Sequence, residues 1–238
     1  MAGEGDARAH VFVPDLAAPR LDSADHHHLT RVLRLRPGDA VTVTDGAGGW
    51  RRCRLADDGG ETLAPAGAVE HRPRAQPLLT VAFALTKGER PEWVVQKLTE
   101  AGVDRIVPFA AARSVVRWDG GRADRNVERL RRVAREAAMQ SRRAWLPEVG
   151  ALASFAEVAA LDGAALAERA GAPPSLARPT LLVGPEGGWA DEEREAGLAR
   201  VGLGPFVLRA DTAALAAGLL LSALRDGLVA GSGPNGLP

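Results

Sequence analysis

Three glycine-containing loops carry the polar residues best suited to chemistry. The first is GPEGG at 184–188, between an apolar run and an acidic helix start. Glycines between a strand and a helix are typical of nucleotide-binding loops. This loop holds Glu186 and no lysine, and a carboxylate repels the phosphate that such loops usually bind. It therefore favours a ligand with a neutral ribose–adenine body and a positive centre, such as S-adenosylmethionine. The alternative is a structural turn.

The other two loops also follow predicted strands. The segment 202–214 places Arg209 directly before a helix start at Asp211-Thr212, two plausible capping residues. A cation at that position gains nothing from the helix dipole, which favours a functional role. The third loop, 86–90, contains Lys87, one of only two lysines. Because ligand sites in parallel sheets lie at the carboxyl ends of the strands, the three loops can converge on one pocket.

The chain divides near residue 75. Before it, alternation at 41–44 and 50–55 around a glycine-rich turn predicts a β-hairpin. A short helix is predicted at 25–33, and 71–77 has the composition of a linker.

After the division, strands and helices alternate, which predicts a mostly parallel α/β sheet. The predicted strands are 78–85, 105–109, 180–183 and 205–208, and the predicted helices are 91–101, 124–142, 191–199 and 211–229. On the first helix, Trp93, Val94 and Leu98 share a face, and we predict that Trp93 belongs to the core. The tail 231–238 is predicted to be disordered.

Composition limits the class of protein. Apolar residues make up 46% of the 238-residue chain, and the formal net charge is zero. The single cysteine, Cys53, excludes an internal disulfide framework. No window resembles a signal peptide, and the longest apolar run is too short to cross a bilayer. We expect a soluble, cytoplasmic protein without membrane association.

Charge is unevenly distributed along the chain. Residues 105–143 hold eleven arginines against four acidic residues. Such a segment favours a polyanion partner, RNA or DNA, with a solvated helix face as the alternative. The run His26-His27-His28 could suggest a metal site, but adjacent histidines on a helix point in different directions. We therefore predict no metal.

Five segments in order resemble the ribosomal RNA small-subunit methyltransferase E family, within the SPOUT superfamily of S-adenosylmethionine-dependent RNA methyltransferases. GPEGG alone is a weak signal, whereas five motifs in the family's order are specific. The resemblance covers about residues 10–225. The segments are HLTRVLR at 28–34, KGERPEWVVQKLTEAGVDRIVPFAAARS at 87–114, MQSRRAWLPEV at 139–149, GPEGG at 184–188 and LGPFVLRADTAAL at 203–215.

The resemblance implies a two-domain architecture. Residues 1–72 would form a small PUA-like β-barrel that aids RNA binding. Residues 73–230 would form an α/β domain with a deep trefoil knot, in which the cofactor S-adenosylmethionine sits. The members of this family are homodimers that methylate N3 of a uridine in 16S ribosomal RNA. The implied partner is small-subunit ribosomal RNA or the assembled small subunit.

The resemblance also implies site residues. The catalytic candidates are Arg209, Glu186 and Asp211. The cofactor-binding candidates are Leu85, Thr86, Val183, Gly184, Glu186, Gly187, Gly188, Leu203, Gly204, Leu208, Arg209, Ala210, Thr212 and Ala213. The RNA-binding candidates are Arg31, Arg34, Lys87, Arg113, Gln140 and Arg143.

The chain departs from the family pattern at four positions. The family usually has glutamate at the positions of Asp211 and Met139, and a polar or larger residue at that of Ala210. Ala190 stands where a serine cap is common, and we expect Asp191 to take over the cap. A shorter carboxylate at Asp211 could change the geometry of any substrate contact by over an ångström, which affects rate.

Three functions are compatible with these motifs. The first is the uridine N3-methyltransferase, in which Glu186 or Asp211 removes the N3 proton and Arg209 stabilises negative charge on the uracil ring. The sequence does not choose between the two carboxylates. The second is another SPOUT specificity, for the ribose 2′-hydroxyl or for another base. The third is a non-catalytic RNA-binding assembly factor, which would have little use for Glu186 and Arg209.

Overall fold

A computed structural model of the protein describes residues 7–58 and 61–230. The described residues form two compact units, one of residues 7–58, 61–74 and 138–146 and the other of residues 75–137 and 147–230. The boundary predicted after residue 72 stays a prediction. The predicted disordered tail, 231–238, lies outside the described residues.

The first unit is built around a five-stranded sheet. Its strands are β1 (Ala9–Phe12), β2 (Ala40–Thr44), β3 (Gly49–Leu55), β4 (Leu63–Pro65) and β5 (Glu70–His71). The hairpin predicted from sequence is confirmed, because β2 and β3 pair antiparallel. Asp45 closes its turn by accepting the backbone N–H groups of Ala47 and Gly49. β1 pairs with β2 in parallel.

The helix predicted at 25–33 is a composite. It begins as α1 (Ser23–His27), capped by the side chain of Asp22, and continues as a π-helical segment, His28–Val32. The N–H of Leu33 donates to the carbonyl of His28, five residues earlier. Arg34 then adopts a φ of 54° and ends the segment. The predicted helix is present, but its second half is π-helical, because residue periodicity does not distinguish an α turn from a π turn.

The segment 138–146 completes the first unit through backbone groups. The carbonyl of Ala144 accepts the Gly48 N–H and the Thr44 hydroxyl, both at 3.0 Å. The N–H of Leu146 donates to the carbonyl of Gly46. The sequence pattern placed this segment with the second half of the chain, and it contained no signal for these backbone contacts.

The second unit contains a seven-stranded sheet whose pairings are all parallel. Its strands are β6 (Thr80–Ala84), β7 (Arg105–Ala110), β8 (Glu148–Val149), β9 (Ala153–Ser154), β10 (Ala164–Ala172), β11 (Thr180–Val183) and β12 (Ala199–Val201). The order is β12-β10-β11-β6-β7-β8, with β9 beside β7. The predicted parallel α/β sheet is thereby confirmed.

Four helices lie between strands of this sheet, and a fifth follows the last strand. They are α2 (Arg90–Glu100), α3 (Gly121–Gln140), α4 (Phe155–Ala159), α5 (Asp191–Arg194) and α6 (Ala210–Arg225). Helix α2 packs on α6, where Gly218 lies so close to Leu98 that a Cβ would meet its side chain at 2.7 Å. Val94 and Leu98 are buried as predicted, but Trp93 is 40% exposed. Its assignment to the core was wrong.

Two further predictions of elements were wrong, and strand β10 was not predicted. The helix predicted at 191–199 ends at Arg194, and residues 199–201 form β12. The strand predicted at 205–208 is a loop, whose Phe206 and Val207 are 78% and 80% exposed. Strand β10 was missed because its sequence, AALAERAGA, contains alanine, glutamate and arginine, which favour helices.

Candidate active site

One cavity of about 460 Å³ opens at the carboxyl ends of the strands in the second unit. Its walls come from the second half of β10, the loop after β11, the loop after β12 and the start of α6. The lining residues are Ala167, Glu168, Arg169, Ala170, Val183, Gly184, Pro185, Glu186, Gly188, Trp189, Arg194, Leu203, Gly204, Phe206, Val207, Leu208, Ala210 and Ala213. Small-molecule sites typically have volumes of about 300–1,000 Å³.

The structure gathers most of the predicted cofactor-binding residues around this cavity. Those that line it are Val183, Gly184, Glu186, Gly188, Leu203, Gly204, Leu208, Ala210 and Ala213. Those outside the lining are Leu85, Thr86, Gly187, Arg209 and Thr212. Their assignment to the cofactor stays a prediction.

The sequence reasoning missed the wall contributed by β10. Ala167 to Ala170 line the cavity because β10 pairs with β11 and ends beside the GPEGG loop. No local signal marked these residues, since β10 itself was not predicted. Trp189 and Arg194 were also missed, although Trp189 directly follows the GPEGG motif and could have been included with it.

Trp189 fixes the GPEGG loop against the sheet. Its indole Nε1 donates to the carbonyl of Ala167, and its ring stacks on Phe109. A Cβ at Gly184 would approach the indole to 2.9 Å, so this position has room only for glycine. Gly188 has a φ of 71°, a left-handed conformation that favours glycine. The glycines therefore bring the backbone of this loop to the cavity.

Glu193 ties the same loop to the loop after β7. Its carboxylate is buried and accepts the backbone N–H groups of Ala190 at 2.9 Å and Ala112 at 2.8 Å. Ala190 is the N-cap residue of α5 and has no capping side chain. We expected Asp191 to take over this cap, but Asp191 is the first residue of α5, and Glu193 reaches back to accept the N–H of Ala190 itself. The expectation was wrong because it considered only the neighbouring residue.

A row of four alternating charges lies at the cavity, in the order Asp211, Arg90, Glu186 and Arg209. Arg90 Nη1 donates to Glu186 Oε1, and Arg90 Nε lies 3.8 Å from Asp211 Oδ2. Arg209 Nη2 lies 3.7 Å from the same Glu186 oxygen. The three catalytic candidates thus lie within one cluster. Arg90 was not singled out from sequence, although it lies inside one of the matched motifs.

A second ionic cluster borders the cavity at β10. The carboxylate of Glu168 lies 3.2 Å from both Arg194 and Arg200. Glu168 and Arg194 are also lining residues. The cavity therefore has carboxylates on two sides, each next to arginine.

The residues around the cavity fit S-adenosylmethionine. Leu203, Leu208 and Val183 supply apolar surface for an adenosine body, and the glycine loops expose backbone donors and acceptors. Glu186 supplies negative charge for a sulfonium centre, and Lys87 is not among the lining residues. Beyond the lining, the hydroxyl of Thr86 is buried and has no hydrogen-bond partner within residues 7–58 and 61–230.

The predicted RNA-binding residues fall in both units. Arg31, Arg34, Gln140 and Arg143 belong to the first unit, and Lys87 and Arg113 to the second. All are exposed except Arg143, which is partly buried. Their contact with RNA stays a prediction.

The described residues show neither a metal-binding group nor a membrane-spanning helix. In the described part of the chain, no group of three or more metal-ligating side chains is arranged to hold an ion. No helix among the same residues has the length and apolar character needed to cross a bilayer.

Comparison with known proteins defines the class first. A family model described as an RNA methyltransferase domain matches residues 74–222, and one described as an RNA methyltransferase PUA domain matches residues 21–63. The fold and cavity are therefore those of an RNA methyltransferase that carries a PUA domain.

Individual relatives define the family. The chain is 39% identical over 230 residues to ribosomal RNA small subunit methyltransferase E of Mycobacterium bovis, covering 86% of each chain. A structure of this enzyme from Neisseria gonorrhoeae bound to S-adenosylmethionine is 28% identical, with a TM-score of 0.74 over 91% of this chain and 97% of that one. A putative methyltransferase from Legionella pneumophila with bound S-adenosylmethionine is 26% identical, with a TM-score of 0.77 over 90% and 96%. The chain belongs to the ribosomal RNA small subunit methyltransferase E family.

Proposed function

We propose that the protein transfers a methyl group from S-adenosylmethionine to N3 of a uridine in small-subunit ribosomal RNA. The observation that carries this proposal is the placement of two carboxylates and two arginines at the cavity. Uracil N3 carries a proton that must leave, and its loss puts negative charge on the ring oxygens. A carboxylate can accept the proton, and guanidinium groups can stabilise the charge.

Glu186 is the better placed of the two proton acceptors. It lines the cavity, whereas Asp211 does not. Its Oε1 contacts both arginines, and its Oε2 makes no hydrogen bond within the described residues. Asp211 accepts the N–H of Thr212 with one oxygen and approaches Arg90 with the other. We therefore assign Glu186 as the base and Asp211 as a residue that positions Arg90.

The cofactor supplies an activated methyl group, so the residues of the protein need only bind, orient and deprotonate. The N3 proton would pass to Glu186, and the lone pair left on N3 would bond to the methyl carbon as the bond from that carbon to the sulfonium sulfur breaks, with its electron pair left on the sulfur of a neutral thioether. Arg209 stabilises the charge that develops on the ring. Positioning of the two substrates in one cavity supplies much of the acceleration.

The resemblance supports four further proposals: a trefoil knot in the second unit, a closed PUA-like barrel in the first, a homodimer, and a cytoplasmic location with ribosomal RNA as partner. The exposed apolar side chains of Leu219 and Leu228, in and after α6, are consistent with a second copy. Sedimentation analysis tests the dimer, and a monomer at micromolar concentration contradicts it.

Product analysis tests the function directly. The purified protein is incubated with labelled S-adenosylmethionine and unmodified small subunits, and separately with naked ribosomal RNA. The RNA is then digested and the labelled nucleoside identified. N3-methyluridine supports the proposal, whereas label in another base or on a ribose assigns a different specificity. Cofactor binding without label in any nucleoside supports the non-catalytic assembly factor.

A further inference from the structure

Three side chains of the row of charges, Arg90, Glu186 and Arg209, alternate between hydrogen-bond donors and an acceptor. Arg90 and Arg209 both contact Oε1 of Glu186, so two cations share a single carboxylate oxygen. Guanidinium groups only donate hydrogen bonds, and an ionised carboxylate only accepts them. Arg90, Glu186 and Arg209 therefore offer a donor, an acceptor and a donor.

Each member of the cluster keeps unused hydrogen-bonding capacity. Arg209 is 62% exposed at its side chain, and its 3.7 Å contact with Glu186 is an ion pair, not a hydrogen bond. In the described part of the chain, its guanidinium donates to no other group. Arg90 donates only from Nη1 there, which leaves Nη2 available. Glu186 has Oε2 available.

Uracil presents the complementary order on its Watson–Crick edge. O4 accepts, N3–H donates and O2 accepts. Cytosine has an amino donor in place of O4 and no proton at N3. An arginine opposite that amino group would face a donor with a donor. The order of groups in the cluster therefore matches uracil and opposes cytosine.

We propose that Arg90, Glu186 and Arg209 together read the uracil edge, and that Arg90 is a specificity-determining residue of the reaction. This inference rests on the proposed function, because it takes N3 of uridine as the acceptor. Arg90 contacts a ring oxygen directly, and Asp211 keeps its guanidinium in place. The N3–H lies against Glu186, the residue that then removes its proton.

If Arg90 had only a structural role, its removal would affect folding or cofactor binding and would leave the preference for uridine unchanged. Arg90 is partly exposed, and ion pairs in such positions contribute little to stability. We therefore expect Arg90→Ala to fold normally and to bind S-adenosylmethionine as the wild type does. Arg105→Ala is the matched control. Arg105 also forms an ion pair at the surface, with Glu148, but at the opposite ends of the strands.

The experiment measures three quantities for the wild type, Arg90→Ala, Arg90→Lys and Arg105→Ala. They are cofactor affinity by calorimetry, kcat/KM on unmodified small subunits, and kcat/KM on subunits whose mapped target uridine is replaced by cytidine. Loss of one positioned donor to a developing anion typically lowers turnover by roughly 10²-fold. We expect that loss for Arg90→Ala, with cofactor affinity unchanged and the preference for uridine over cytidine reduced at least tenfold.

The other variants set the limits of the proposal. Arg90→Lys keeps the charge without the planar fork of donors, so we expect intermediate activity and a reduced uridine preference. Arg105→Ala should match the wild type in all three quantities. Three results for Arg90→Ala would overturn the inference: unchanged activity, an unchanged preference despite lower activity, or a parallel loss of cofactor affinity. If the wild type itself forms no N3-methyluridine, the proposed function fails instead.

Discussion

Arg209 stands directly before the first turn of α6, and its side chain makes no hydrogen bond among the described residues. A cation before a helix gains no stabilisation from the helix dipole, so its presence there needs another reason. The ion pair with Glu186 places it beside the proposed base. Its exposure leaves it free to contact an RNA base.

Arg209→Ala should lower turnover more than cofactor binding. If Arg209 stabilises charge only as it develops on the ring, kcat falls by roughly 10²-fold while the Kd for S-adenosylmethionine stays within a few-fold. Steady-state kinetics and calorimetry on the same preparation measure both. Equal losses in kcat and in cofactor affinity contradict the role.

Cys53 contributes a pH dependence to stability. Burial raises the pKa of its thiol to about 11, against a smaller opposing effect of the nearby Arg51 charge. The folded state therefore keeps the proton when the unfolded chain has lost it. The stabilisation is present below pH 9 and is lost as the pH rises towards 11.

We expect the free energy of unfolding to fall by roughly 2 kcal/mol between pH 9 and 11 because of this residue. Urea unfolding at several pH values measures the fall. Cys53→Ala costs some packing at all pH values but should have a flatter profile in this range. A profile as steep as that of the wild type would assign the pH dependence to other groups.

Loops and short helices hold the residues of the site in place. The GPEGG loop is fixed by Trp189 on one side and by Glu193 on the other. Glu193 accepts the N–H of the N-cap residue Ala190 and that of Ala112 in the loop after β7. Two buried side chains therefore hold this loop, Trp189 within the cavity lining and Glu193 outside it.

Glu193→Ala should destabilise the protein and weaken cofactor binding together. It leaves the N–H of Ala190 buried without a partner, at a cost of roughly 2 kcal/mol. Thermal unfolding and calorimetry measure the two effects. Glu192→Ala, at the exposed neighbouring position, is the control and should change neither. An unchanged cofactor affinity in Glu193→Ala would show that the loop keeps its conformation without this carboxylate.

The whole molecule carries no net charge, yet it belongs to a family that acts on ribosomal RNA. Attraction to a polyanion must therefore come from local concentrations of arginine. Phosphate contacts release bound counterions, so RNA affinity should fall steeply with salt, whereas binding of S-adenosylmethionine should change little.

Removing two exposed cations tests this electrostatic contribution. Each phosphate contact that is lost lowers the slope of log affinity against log salt by about 1. Arg31→Ala combined with Lys87→Ala should therefore reduce the slope by about 2 and weaken binding across RNA sequences. Arg178→Ala removes an exposed arginine outside the predicted RNA-binding set and serves as the control. An unchanged slope in the double variant contradicts both assignments.

The sequence by itself determined the elements with strong local patterns. Apolar runs predicted β6, β7 and β11, and periodic apolar stripes predicted α2 and α3, because burial imposes those patterns along the chain. Capping residues predicted the start of α6. The glycines and charges of 184–188 and 203–213 marked the cavity loops. The family resemblance added the cofactor, which local patterns alone only favoured.

The tertiary structure decided which segments, distant in sequence, lie beside one another. β10 pairs with β11 and brings Ala167 to Ala170 to the cavity, although its composition favours a helix. Phe206 and Val207 have the composition of a strand but lie in an exposed loop. Arg90 joins the site because α2 starts beside a loop almost a hundred residues later in the chain. Contacts between residues so far apart depend on the packing of the whole sheet, which no local window of sequence records.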